Sequence, residues 1–594
     1  MCIKVLPRVK ITFKDIFILK GDKVVKVYFF KTLQSIIILA FTIFRIISSN
    51  LISAWYPSSQ AYDDHLMIAY ASLASHFKIP DSLTLVKTMS YPIFLRIVHW
   101  SGLSYTMILS IIWIIAAILV VTIFSYITNN ILFLRFAYLF ILFTPSAFDS
   151  WIGTRLYRNS CLAPFILILF ACLLLIIIRL IKDEDLSAKK IICLSIMSGF
   201  IFTFSYYIKE DGIWLLFCLI FAILVSFGIV IYKYLHSDKS IGKSIMLIII
   251  LYIPLMIFIL SSNIYKSINY HYFGVYETNT RTEGELGNFV NNVYKIHSDY
   301  RTAFVWAPYD AIEKAFHASN TLSMYPDLKD KIIITHWFGD IRENPITGDF
   351  LTWVLRSALV DSGLWHSERQ ISDLFKQVNI ELMAAFNDGT LVREDKFQIM
   401  TSTGGRSLNE IFRIKNIMIE EYKNCILLDG YVPGGSLSED TDISSCETAT
   451  LLANMNFLPL NGPANNHKIK DLDYGNIIAS VIFKVYSKLN PILIVFSILG
   501  LLITCCLMML KRRKNKSINT FIVLTMFVLI GISIVYSFGI GWFAEYIWGN
   551  NPINAIITKY YGVGLVPMVS LFELFGTYLL FKHVNDFFHI LKQK

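Results

Sequence analysis

The stretch CLAPFILILFACLLLIIIRL, residues 161–180, contains one charge, Arg179, in twenty residues. A helix rises about 1.5 Å per residue, so a run of this length spans about 30 Å, the depth of a bilayer's hydrocarbon core. Its Ile content would suit a strand in water. In hydrocarbon, only helices and closed barrels satisfy the backbone, and a continuous apolar run without alternation means a helix. Working outward, similar runs occupy 33–52, 104–124, 131–147, 191–208, 213–232, 244–262, 490–510, 518–538 and 563–581, about ten spans in all. Of the 594 residues, 55% are hydrophobic and 16% charged, with a mean hydropathy of +0.56, where soluble domains carry about 25% charged residues. The expected fold is an α-helical polytopic membrane protein with a mainly helical extracytoplasmic domain.

Orientation follows from the basic residues. Lys4, Arg8, Lys10, Lys14, Lys20, Lys23, Lys26 and Lys31 precede the first span. That segment is longer than a signal peptide's basic region and has no small-residue cleavage site, so the first span is expected to be an anchor with a cytoplasmic N-terminus. Alternation then puts Arg179, Lys182, Lys189 and Lys190 inside, followed by Lys233, Lys239 and Lys243, then Lys511, Arg512, Arg513 and Lys514, and finally Lys582, Lys592 and Lys594. Every short basic loop falls on the cytoplasmic side. The net charge of +10 largely reflects these loops, which favours anionic lipid headgroups as partners and gives no case for nucleic acid.

Four pieces result: a basic cytoplasmic N-terminus (1–32), a transmembrane module (33–262), an extracytoplasmic domain (263–476) and C-terminal transmembrane helices (477–594). The polar segment is too long for a loop. Within it, Leu286, Phe289, Val290, Val293 and Tyr294 fall at helical spacing, and so do Ile371, Leu374, Phe375, Val378, Leu382 and Phe386 before Asn387-Asp388-Gly389. Residues 349–360 also read as helix, whereas 402–440, rich in Gly, Ser and Pro, reads as loop. Cys425 and Cys446 are both external, so a disulfide between them is one outcome and two free thiols the other.

The loops on the external face hold the chemistry. The first, 53–103, carries Tyr62-Asp63-Asp64-His65 and Lys87; the second, 148–160, carries Trp151, Thr154, Arg155, Tyr157 and Arg158; a third holds Lys209-Glu210-Asp211-Gly212. A carboxylate beside a hydroxyl is a general base, and arginine matches phosphate oxygens bidentately. Plainer roles stand beside these: an Asp-Asp pair caps helices, and arginines flank spans as interfacial anchors. Lys209, Glu210 and Asp211 fit a plain role less well, because they lie between two apolar spans with almost no loop to solvate them. Asp63, Asp64, Glu210 and Asp211 also offer hard oxygen ligands to a divalent metal. His65, His99, His271 and His317 show no ligand spacing, and GxSxG, GxxxxGK[ST] and GxGxxG are absent.

The acidic pair Asp63-Asp64 after the first span, the second-loop residues Gly153-Thr154-Arg155-Leu156-Tyr157-Arg158 and Lys209-Glu210-Asp211 together resemble the GT-C fold glycosyltransferases that use polyprenyl-phosphate sugars. The resemblance covers roughly residues 30–262, and the WWDxG motif of the oligosaccharyltransferase branch is absent. With Gly348-Asp349-Phe350-Leu351-Thr352-Trp353 and Gly389, the middle segment also looks like that of bacterial membrane proteins of this layout. The resemblance implies an inverting glycosyltransferase of the bacterial cytoplasmic membrane. It would carry a sugar from a polyprenyl phosphate to a cell-envelope glycan or lipid acceptor on the external side. Asp63 or Asp64 would be the base and Arg155, Arg158 and Lys209 the donor-phosphate ligands, supported by Lys87, Tyr157, Glu210 and Asp211. A transporter or flippase of lipid-linked glycans, and a non-catalytic envelope assembly protein, are the rival expectations.

Overall fold

A computed structural model describes residues 22–52, 54–56, 63–78, 81–182, 188–236, 241–434, 443–455, 466–510, 516–548 and 555–593. The basic stretch before Asp22, Tyr62 and the basic residues Lys511, Arg512, Arg513 and Lys514 lie outside them.

Ten helices build the N-terminal bundle. α1 (Asp22–Leu51) is followed by three helices in the loop after it, α2 (Asp64–Ala71), α3 (Leu73–Lys78) and α4 (Ser90–Ser101). Next come α5 (Tyr105–Ser125), α6 (Ile131–Leu142), α7 (Asn159–Lys182), α8 (Ala188–Tyr206), α9 (Ile213–Leu235) and α10 (Ile241–Phe273). The polar segment contains α11 (Gly284–Lys295), α12 (Tyr309–Ala318), α13 (Asn320–Ser323) and α14 (Pro326–Ile333). A two-residue antiparallel pair follows, β1 (Ile334–Thr335) with β2 (Gly339–Asp340), then α15 (Leu351–Asp361), α16 (Glu368–Asn387), α17 (Leu408–Leu427) and α18 (Ile443–Ala453). The chain closes with α19 (Asn466–Met509), α20 (Lys516–Trp548), α21 (Ala555–Tyr561) and α22 (Leu565–Gln593).

Among the described residues, 8 helices are long and apolar enough to cross a membrane, and the chain is a helical multi-pass membrane protein. The other two expected spans fall outside that set. The side chains of α1 are described from Ser35 on, an apolar run to Leu51, and the run at 131–147 breaks after Leu142 into a single 3₁₀ turn, Pro145–Ala147. Pro145 has no N–H to donate and pushes Thr144 out of the helical region, to φ −51° and ψ 126°. The most apolar 18 residues of α7 are 89% buried, as are those of the span ending in α22, against 28% for α10, so α7 and α22 are the central posts. α19 and α22 cross closely: a Cβ on Gly576 would strike the Ser497 backbone, and one on Gly500 the Gly576 carbonyl. Small residues allow such close backbone approach between membrane helices.

α10 and α19 each run unbroken across the expected domain limits at 262 and 477, so both tether the polar domain through continuous helix. The domain core joins Leu286, Phe289 and Val293 of α11 to Phe375, Val378 and Leu382 of α16, with the Phe289 and Phe375 rings 4.8 Å apart. The predicted helices at 349–360 and 367–387 are present, the second capped by Ser367 accepting from the Gln370 N–H at 3.2 Å and ended by Gly389 at φ +84°.

The loop expected at 402–440 is corrected. It contains the 20-residue helix α17. Gly404-Gly405 and Gly434 dominate the composition at its ends and hide a capping box, Ser407 with Glu410, followed by buried Ile414 and Ile417. Ser407→Ala is expected to cost about 1 kcal/mol, read as a lower thermal midpoint in detergent, while Ser407→Asp keeps the cap. Cys425 on α17 makes no disulfide among the described residues; the side chain of Cys446, its expected partner, lies outside them.

The loops and the polar domain meet at one end of the bundle. The Thr280 N–H donates to Leu85 O at 2.8 Å, that of Ser150 to Val432 O at 2.9 Å, and Asn159 Nδ2 to Tyr560 O at 2.9 Å.

Candidate functional site

Asp63 and Asp64 stand at the N-cap and first position of α2, where carboxylates are favoured by the exposed N–H groups and the dipole. Their surroundings differ sharply. A short parallel bridge, Trp55 N–H to Thr154 O at 3.0 Å and Leu156 N–H to Trp55 O at 2.9 Å, holds Arg155 opposite Asp64. Arg155 then donates from Nε to Oδ1 at 2.8 Å and from Nη2 to Oδ2 at 2.5 Å. The Asp64 side chain is 0% exposed and that of Arg155 3%. The guanidinium is enclosed by the rings of Trp55, Trp151, Tyr157 and Tyr560, at 5.1–5.4 Å. Burial works against its charge, and Asp64, with the neighbouring Tyr560 and Tyr157, outweighs that and holds the guanidinium above its ordinary value.

Asp63 is 32% exposed. Its Oδ2 accepts from Lys87 Nζ at 2.6 Å and from the Tyr157 hydroxyl at 3.3 Å; neither contact uses Oδ1. Burial works against ionisation, yet Lys87, Arg158 and Arg281 outweigh it and hold the carboxyl below the usual carboxylate range.

Arg158 donates from Nη1 to both Glu210 oxygens, at 2.9 and 2.8 Å, and its buried Nε has no partner among the described residues. Burial resists charge on Glu210 as well, and Arg158, Lys87 and Arg281 bring its carboxyl down to about 2. The polar domain enters here. Arg281 reaches Glu210 at 3.7 Å and pairs with Asp349, and both Lys87 and Arg281 lie over the Trp353 ring, at 5.2 and 5.9 Å.

Lys209 is buried, with Nζ 5.8 Å from the Tyr560 ring centre and 5.9 Å from that of Tyr561. No ion pair or hydrogen bond holds its ammonium among the described residues. Burial pulls it down to about 8, against the field of Asp211. Burial likewise raises the Asp211 carboxyl, with Lys209 opposing.

All nine residues expected from the sequence therefore converge, in different roles. Asp64 and Arg155 pair through both carboxylate oxygens in an aromatic cage, with the Arg155 side chain 3% exposed. Asp63 is partly exposed, whereas Arg158 and Lys209 are buried. A divalent metal is open as one use of these acids; Asp63, Asp64 and Glu210 each face a cation instead, and no group of three His, Cys, Asp or Glu side chains suited to a metal occurs among the described residues.

Sequence reasoning quoted Asp349 and Trp353 as part of a middle-segment motif without placing them at the site, and it missed Arg281 of the polar domain, Tyr560 and Tyr561 of α21, and the Asp149–Lys559 pair. Lys559 Nζ lies 2.6 Å from Asp149 Oδ2, both side chains at most 1% exposed. Asp149 also accepts from the N–H groups of Trp151, Ile152 and Val432 at 3.0–3.1 Å, fastening the second loop under α21. A lysine followed by two tyrosines at the edge of an apolar run was the only signal.

The fold and site define a multi-pass membrane protein with a buried charge network between its helical bundle and a polar domain. Comparison with protein-family models, with curated proteins and with solved structures found no match.

Proposed function

We propose that this junction is the active site of a membrane glycosyltransferase with a GT-C-like bundle, moving a sugar from a polyprenyl phosphate to a cell-envelope glycan or lipid on the external side. The observation that carries the reading is the partly exposed Asp63 carboxylate within a shell of buried cations, two of which, Arg158 and Lys209, keep donor capacity unused. The acceptor oxygen attacks the anomeric carbon, the bond from that carbon to the phosphate oxygen breaks, and the phosphate leaves with the electron pair. Asp63 takes the acceptor proton. Its low proton affinity suits late transfer, after bond formation has made that proton acidic. Arg158 and Lys209 meet the charge growing on the leaving phosphate.

Purified protein offered a panel of polyprenyl-phosphate sugars and an envelope-glycan extract is expected to release polyprenyl phosphate with transfer of the sugar. Because Lys209 loses its proton near pH 8, donor KM is expected to rise as the pH climbs through that value. Lys209→Arg removes that limb.

The transporter reading keeps one observation in its favour, a buried acid, Glu573, within a candidate span. Movement of a labelled lipid-linked glycan between leaflets with no phosphate release would replace the transferase by that reading.

A further inference from the structure

Away from the junction, a small cavity of about 20 Å³, room for one water-sized occupant, lies between the Pro145–Ala147 turn, α17, α19 and α22. Four features of its lining point to one ligand chemistry. Glu573 is 1% exposed, and its Oε1 has no hydrogen-bond partner among the described residues. Asn490 Oδ1 and Ser146 Oγ are also buried and unpartnered, on two other elements of the same wall. Ser570, one turn before Glu573, adds a further hydroxyl. No lysine, arginine or histidine lines the cavity, and Glu573 makes no ion pair among the described residues.

Glu573 lies within the candidate membrane span that ends in α22, about two turns past the start of that helix at Leu565. An ionisable group in such a span is costly and usually functional. Orphaned acceptor oxygens around one carboxyl, with no basic group, suit a positive ligand and exclude an anion. One carboxylate balances one charge; a divalent ion would need more acids.

We infer that this cavity binds a single alkali cation, held by the Glu573 carboxylate with Asn490 Oδ1, Ser146 Oγ and Ser570 Oγ. The site is separate from the charge network and stands whether or not that network transfers sugar.

The test is equilibrium binding of ²²Na⁺ to the full-length purified protein, paired with thermal unfolding as sodium or potassium replaces choline at constant ionic strength. Saturable binding near one ion per chain and a rising thermal midpoint are expected. Glu573→Gln removes both, and Asn490→Ala weakens affinity on the order of tenfold. The wild-type measurement decides even where a variant folds poorly. No saturable binding by folded wild type, an alkali-ion effect that Glu573→Gln retains, or a midpoint that follows pH and ignores both salts would overturn the assignment.

Discussion

Arg155→Ala is expected to destabilise the protein by about 3–5 kcal/mol, the range for removing one partner of a buried ion pair. The magnitude follows from what remains: the Asp64 carboxylate, fully buried, has Arg155 as its guanidinium partner through both oxygens. It would have to take up a proton or draw water into a cage of four aromatic rings. Asp64→Leu combined with Arg155→Met is expected to recover most of the loss, because shape-matched apolar groups replace a buried pair at little cost. Thermal midpoints of the single and double variants in one detergent supply the cycle. A single variant within about 1 kcal/mol of wild type would mean that the pair is solvated like a surface bridge.

Asp63→Asn is expected to act on turnover. Loss of a positioned base lowers the rate about 10²–10⁴-fold, and the partial exposure of Asp63 leaves the amide solvated. The substitution also unpairs Lys87, which keeps the Trp353 ring as a neighbour, so rates are compared per folded molecule. Asp64→Asn should instead lose folded protein and keep turnover in what folds. Equal turnover loss in both variants at equal folding would make the two carboxylates one catalytic unit and remove the assigned division of labour.

That division was not legible in the sequence. Adjacent residues at a helix start differ by about 100° in direction, so one aspartate turns into the bundle and its neighbour toward the polar domain, while the letters are identical. The convergence of Asp63, Arg158 and Lys209 was legible, because counting spans puts their loops on one face. The helices of the polar domain were visible where apolar residues repeat at helical spacing, as in 367–387. α17 was not, since glycines flank its capping box. Arg281 and Trp353 pair with Glu210 and Lys87 across long sequence separations, a relation that leaves no local pattern. The run at 131–147 was apolar throughout, and only the backbone demand of Pro145 shows that the helix stops early.

The central claim, that the junction of bundle and polar domain receives the phosphate of a lipid-linked sugar, is tested most directly by photolabelling. A polyprenyl-phosphate sugar carrying a photoreactive group next to its phosphate is bound to the purified protein, irradiated, and mapped by mass spectrometry. The account predicts labelling in residues 148–160, 205–214 and 555–564, competed by unlabelled donor and reduced in Lys209→Ala. Labelling confined to other segments, or labelling that unlabelled donor does not compete, would contradict it.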